Sequence, residues 1–253
     1  MRTNHFSKVF IALTALASLT MFAWPLLIQT TSADENRVAQ TVFILLMPLM
    51  LVLVLVEFAS GGLDSKQLAM LGVLTALNAV IRILGAGTSG IETAFFLIII
   101  GAYVFGSGFG FLLGSGSLLV SALLMGGVGP WLPFQMMAAG LLGLAAGLLP
   151  KPKARWLELV TLVSFAILGS YAYGALMTLW NWPFLVGVGT DISYLPGAGF
   201  FENIIRFFKY ELLTGGLLWD TGRAITTSVL ILITAPALLT TLKRAARRAG
   251  IAR

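Results

Sequence analysis

The chain contains no cysteine, which excludes disulfides, thiolate metal sites and cysteine nucleophiles and leaves its redox compartment unmarked. It has a single histidine, His5, outside every apolar run. A hydrolase needs a base beside its nucleophile, and neither histidine nor an obvious lysine dyad lies in those runs. The ten acidic residues are scattered, which argues against metal hydrolysis and against a lipid-headgroup transferase with its acids gathered at one membrane face. No glycine-rich stretch ends in GK[ST] at a strand-to-helix turn, so this chain does not hydrolyse ATP. Charge itself is scarce: 10% of the 253 residues are charged and 58% are hydrophobic, with mean hydropathy +0.95. That composition describes a polytopic membrane protein.

What charge there is marks topology. The net charge is +6, and Lys243, Arg244, Arg247, Arg248 and Arg253 crowd the end of the chain, a pattern that fixes orientation rather than binding nucleic acid. A bilayer-spanning helix takes about 20 mostly apolar residues. By that measure spans fall near 9–28, 41–60, 67–85, 91–106, 109–127, 133–149, 157–182 and 219–242. The first run, preceded by Arg2 and Lys8 and followed by "TTSA", is long for a signal peptide and is expected to be retained. "KPKAR" (151–155) and "KRAARR" (243–248) belong on the cytoplasmic side, and counting spans from either makes the N-terminus cytoplasmic too. Four segments then face outward: 29–40, "GAGTSG" (85–90), the loop near 128–133, and 183–218. The last contains "FFENIIRFFKYELL" (200–213), an interfacial amphipathic helix or a lid. The first two spans are poor in glycine and those from 67 to 149 are laced with it. This predicts a two-helix N-terminal addition (1–66) and a six-helix core (67–253).

Within the core, Ala69, Gly72, Ala76 and Ala79 form a small-residue stripe that permits close helix approach, internally or to a partner. Thr75, Asn78 and Arg82 form a polar stripe about 100° around the same helix. A cation at mid-membrane costs at least about 2.5 kcal/mol unless it is paired or hydrated. Arg82 therefore needs a partner or a wet cavity, and Glu92 is the obvious candidate across the outer loop. Gly106, Gly110 and Gly114, then Gly140, Gly143 and Gly147, read as tight helix packing. In "GGVGPWLPFQ" (126–135), Pro130 and Pro133 stiffen a turn carrying Trp131, with Gln135 behind it. The indole is either an aromatic-belt residue or a stacking surface on a cavity rim. "WNWPF" (180–184) repeats the chemistry with Asn181 and Trp182. Tyr194 lies in the long outer segment and joins these candidates. "WDTGR" (219–223) places Asp220 and Arg223 three apart, where they can pair on one helix face, and reads as mainly structural.

The stretch "LGAGTSGIETAFFLIIIGAYVFGSGFGFLLGSGSLLVSALLMGGVGPWLPFQMMAAGLLGLAAGLLP" (84–150), with "LMTLWNWPF" and "WDTGRAITTSVLI", resembles the substrate-binding S components of energy-coupling factor (ECF) transporters, in a form like that of actinobacteria. The resemblance covers about residues 67–245. It implies an all-α integral membrane protein: a six-helix S-component core, here preceded by two extra transmembrane helices. It also implies capture of a vitamin or related micronutrient from outside, with no cofactor in this chain and ATP used by two cytoplasmic ATPases that act through a transmembrane coupling subunit. The expected ligand residues are Asn78, Arg82, Glu92, Trp131, Gln135, Asn181, Trp182 and Tyr194. The family's first core helix often presents Ala-x-x-x-Ala to the coupling subunit, and Gly72-x-x-x-Ala76, extended by Ala69 and Ala79, is the nearest equivalent here. The aromatic lid and two Trp corners would suit a large, partly planar substrate, with a corrinoid or another tetrapyrrole favoured. A lipid-modifying membrane enzyme and a ligand-free structural subunit are the alternatives, separable by activity of the isolated chain and by ligand binding.

Overall fold

The computed structural model describes residues 16–27, 41, 45, 65–85, 90–129, 131–185, 189–214 and 216–250, and their regular structure is helical throughout. Residues 16–22 and Trp24–Leu27 form an interrupted N-terminal helix. There follow α1 (Ser65–Gly85), α2 (Phe95–Phe105), α3 (Ser107–Met125), α4 (Leu132–Ala146), α5 (Arg155–Leu185), α6 (Phe200–Leu213) and α7 (Gly216–Arg248). Helices α1, α3, α5 and α7 are long and apolar enough to cross a membrane, and α2 and α4 are shorter apolar helices. Each core span expected from the sequence is therefore a helix. The expected span 41–60, apart from Thr41 and Leu45, lies outside the described residues, as do the segment 29–40, residues 86–89 of the first core loop, and Pro130.

The shortest helix occupies the middle. At 1.5 Å per residue α2 is only about 16 Å long, roughly half of a ~30 Å hydrocarbon layer. This is tolerable because Phe95 through Tyr103 are all buried, so protein and not lipid surrounds the helix. The backbone before it is held by local bonds: the Thr93 hydroxyl donates to the Ile81 carbonyl (2.7 Å), and the Ala94 N–H donates to Glu92 Oε1 (3.0 Å). Gly90, with φ +72°, packs directly on Gly222 of α7, where a side chain on either residue would meet backbone. One residue, Gly106 with φ +103°, joins α2 to α3, a conformation that glycine adopts without strain.

Between α3 and α4 the backbones touch. A side chain at Gly110 would strike the Gly143 carbonyl, one at Gly114 the Ala139 carbonyl, and one at Gly147 the backbone of Ser107. The small-residue spacing is thus used to bring two antiparallel helices together, which without a hydrophobic drive in lipid must rest on close van der Waals packing. Outward faces of α1, α5 and α7 carry exposed Val73, Val80, Leu84, Leu168, Ile225 and Ile233, a surface suited to acyl chains.

The two ends of the bundle differ. At one end Lys243 pairs with Glu158, Lys151 lies 5.6 Å from the centre of the Tyr103 ring, and an Arg155 N–H donates to the Pro236 carbonyl (3.3 Å). Both basic segments singled out in the sequence therefore share one end. The other end holds the α3–α4 loop, the last turns of α5, α6 and the start of α7, and is called the lid end below.

Candidate functional site

The lid end has three layers. Outermost is α6, whose sequence is divided three ways. Asn203, Phe207 and Glu211, four apart, face the bundle and are buried; Phe201, Ile205, Phe208 and Leu212 are exposed; Glu202, Arg206 and Lys209 form the charged face. The ordinary soluble-protein assignment, apolar stripe inward, is reversed here because a membrane interface can take the apolar face.

Next comes the loop 190–195, pinned from two helices. The Asn203 amide both accepts from the Leu195 N–H and donates to the Leu195 carbonyl, at 3.0 Å each. Arg206 donates to the Thr190 carbonyl (3.1 Å) while paired with Glu202. From α5, Trp182 donates its indole N–H to the Ile192 carbonyl (2.9 Å) and packs edge-on against Tyr194 (5.6 Å) and Phe207 (5.5 Å). Trp182 and Tyr194, expected together, do meet. Trp182 is 0% exposed, so its indole anchors the lid and offers no open face for stacking. Asn181 is half-buried beside it.

Beneath lies a polar floor that the sequence reading left out of the site. Asp220 and Arg223 of α7 do pair, as their spacing predicts, but they are central rather than peripheral. The Asp220 carboxylate lies against Gly174 of α5. The Arg223 guanidinium sits 5.1 Å from the Tyr173 ring centre and 5.9 Å from that of Phe95, within the range of cation–π attraction. The Tyr171 hydroxyl bonds that of Thr221 at 2.7 Å. Glu211 descends from the lid onto Gly216 and is only 4% exposed, with the Thr178 hydroxyl as its hydrogen-bonding neighbour. Its carboxyl is held above the ordinary value of 4.5, chiefly because burial strips its water, with Thr178 and Arg223 pulling the other way. Spacing could have found the Asp220–Arg223 pair; nothing in the amphipathic pattern of α6 marks Glu211 as inward-facing.

The polar stripe of α1 runs along the α1–α3 contact. Thr75 approaches Gly116, and Arg82 donates to the Ser121 hydroxyl (2.8 Å), which itself bonds the Leu118 carbonyl (3.0 Å). Arg82 and Glu92 do not form an ion pair: Glu92 is occupied with the Ala94 N–H, though both charges lie within electrostatic reach of Tyr173. Asn78 is fully buried with no partner for either amide atom among the described residues, as is the Ser117 hydroxyl on α3.

At the other rim Trp131 is 46% exposed and folds over Gly129; Gln135, one turn into α4, is half-buried. Behind them Phe134 stacks on Trp180 (3.9 Å, 5° between planes), and the Trp180 N–H is buried without a partner among the described residues. Of the small stripe on α1, Ala69, Gly72 and Ala76 are exposed and no described residue lies near Gly72, while Ala79 turns into the bundle. Three of the four therefore face away from the other described helices, and the fourth packs among them.

No group of three or more acidic or histidine ligands that could hold a metal occurs among the described residues. In comparison with known families, the model described as the substrate-specific component of the ECF transporter matches residues 66–245. No curated protein and no solved structure matches the chain.

Proposed function

Because the chain belongs to the family of substrate-specific components of ECF transporters, we propose that its lid end captures a vitamin-like micronutrient between the floor of α5 and α7, the polar stripe of α1 and the α3–α4 corner. The protein is a multi-pass membrane subunit of an importer, not an enzyme; such subunits work with a coupling subunit and two ATPases. The observation that carries the site is Glu211, a carboxylate only 4% exposed with the Thr178 hydroxyl as its hydrogen-bonding neighbour, held by a lid over the Asp220–Arg223 pair. A buried carboxylate with few donors around it is costly, and a ligand supplying further donors would lower that cost. Asn78 and the Trp180 N–H are buried with no partner among the described residues and would also gain from a ligand's polar groups.

The proposed ligand residues are Asn78, Arg82, Glu92, Trp131, Gln135, Asn181 and Tyr194, now with Trp180, Glu211 and Arg223; Trp182 acts from behind the lid. A corrinoid or other tetrapyrrole fits this set through its periphery, where amide groups can meet Glu211 and Asn78. No histidine stands in the core helices to serve as an axial ligand. The lid end faces outward and both termini lie in the cytoplasm, a topology supported by the two basic segments that share the opposite end. Exposed Ala69, Gly72 and Ala76 are the proposed contact with the coupling subunit.

Mass spectrometry of small molecules released from the purified chain, followed by titration with cyanocobalamin as first probe, tests the reading. Saturable binding by the chain alone, with uptake into vesicles only when coupling subunit and ATPases are added, is the expected result. Uptake by the chain alone would overturn it.

A further inference from the structure

Residues 16–27 precede the matched family region, yet they are built into the lid end. Phe22 and Trp24 are buried to within 1%. The Phe22 ring meets Phe134 edge-on at 5.5 Å, and Phe134 in turn stacks on Trp180. Trp24 reaches further: its indole N–H donates to the Trp180 carbonyl (3.1 Å), and its ring lies 6.1 Å from Phe184 and 6.4 Å from Tyr194. Leu26 packs on the Trp182, Tyr194 and Phe207 cluster.

We infer that this segment is a retained clip on the binding site rather than a removable leader, and that Trp24 is a positioning residue for the lid. The loop 190–195 is pinned by Trp182, Asn203 and Arg206, while Trp24 ties Tyr194 of that loop to the end of α5. Indole suits the task, since a large ring fills the gap and its one polar atom is satisfied by a backbone carbonyl. Removing the segment, as cleavage after "TTSA" would, strips one side from both the Phe134–Trp180 stack and the Trp182 cluster. Pro183 interrupts the backbone ladder in that same stretch of α5, leaving less local bonding to hold it. The inference concerns how the proposed site is held, and its test needs no ligand, so it stands or falls separately from the choice of substrate.

Intact-mass spectrometry of the full chain purified from membranes, with amide hydrogen exchange on wild type, Trp24→Ala and Trp24→Phe, decides it. The mature mass is expected to include residues 16–27. In Trp24→Ala, exchange in 189–199 should quicken about tenfold while the α3–α4 peptides stay as in wild type, and Trp24→Phe, which keeps a ring but loses the N–H, should fall between. A mature chain beginning after residue 27, or wild-type exchange of the loop in Trp24→Ala, overturns the inference. Should Trp24→Ala fail to fold, Trp24→Phe decides alone: a faster loop supports the clip, and wild-type exchange removes it.

Discussion

The carboxylate of Asp220 on α7 rests against Gly174 on α5, in the space that any side chain at residue 174 would occupy. This contact allows an acidic residue to stay buried beside Arg223 while two helices remain closely packed. Gly174→Ala should therefore push Asp220 away from its partner and cost about 1–3 kcal/mol, the usual range for overpacking. Gly72→Ala, which adds its methyl where no described residue lies within 4 Å, is the control. Melting temperatures in detergent check both; equal values for the two variants would show that the Asp220 contact yields freely.

Glu211 gives a pH dependence whose sign follows from its raised folded-state value. The native protein favours the protonated acid more than the unfolded chain does, so stability is fullest below the ordinary carboxylate range and declines as pH rises through the raised value. Glu211→Gln should abolish that decline, matching wild type near pH 4 and melting higher than wild type near pH 8. Thermal unfolding across this range measures it, and parallel curves for the two proteins would contradict the assignment.

Trp131 and Trp182 should separate cleanly. Truncating the buried Trp182 is expected to cost about 3–5 kcal/mol of stability. Trp131→Ala should leave the melting temperature unchanged and weaken ligand binding by roughly 1–3 kcal/mol if its ring stacks on substrate. Wild-type affinity in folded Trp131→Ala would leave that ring to the membrane interface.

The helical spans were legible because long apolar runs in lipid have few alternatives, and the glycines at spacing four announced the α3–α4 contact. The short α2 was not: composition gives a run of apolar residues and cannot say that neighbouring helices will shield a helix too short to span. Arg82 and Glu92 were paired on proximity in sequence, but Ser121 and the Ala94 N–H are nearer partners in space. On α6 the strongest apolar stripe turned outward, so periodicity indicated the membrane-facing side and left Asn203 and Glu211 unseen. The packing of Phe22 and Trp24 depends on contacts more than a hundred residues away, which no local pattern encodes.

The coupling contact can be tested without disturbing the site. Gly72→Leu and Ala76→Leu place bulk on an exposed face and should reduce co-purification with the coupling subunit while ligand affinity stays within twofold of wild type. Intact complexes with both variants would move the contact to another face.

Where α3 and α4 meet, backbone touches backbone at Gly110–Gly143 and Gly114–Ala139, and the Phe111 ring and Ser115 hydroxyl close on Gly140, so neither helix has room to shift alone. The pair is consequently one stiff plank. Sliding of one helix along the other would have to jump a whole turn, about 5.4 Å, or not occur. Any reorientation of the subunit in the bilayer then carries both helices together, and the compliance needed to admit a substrate must come from the borders of the plank, where α1 and α5 meet it through ordinary side chains.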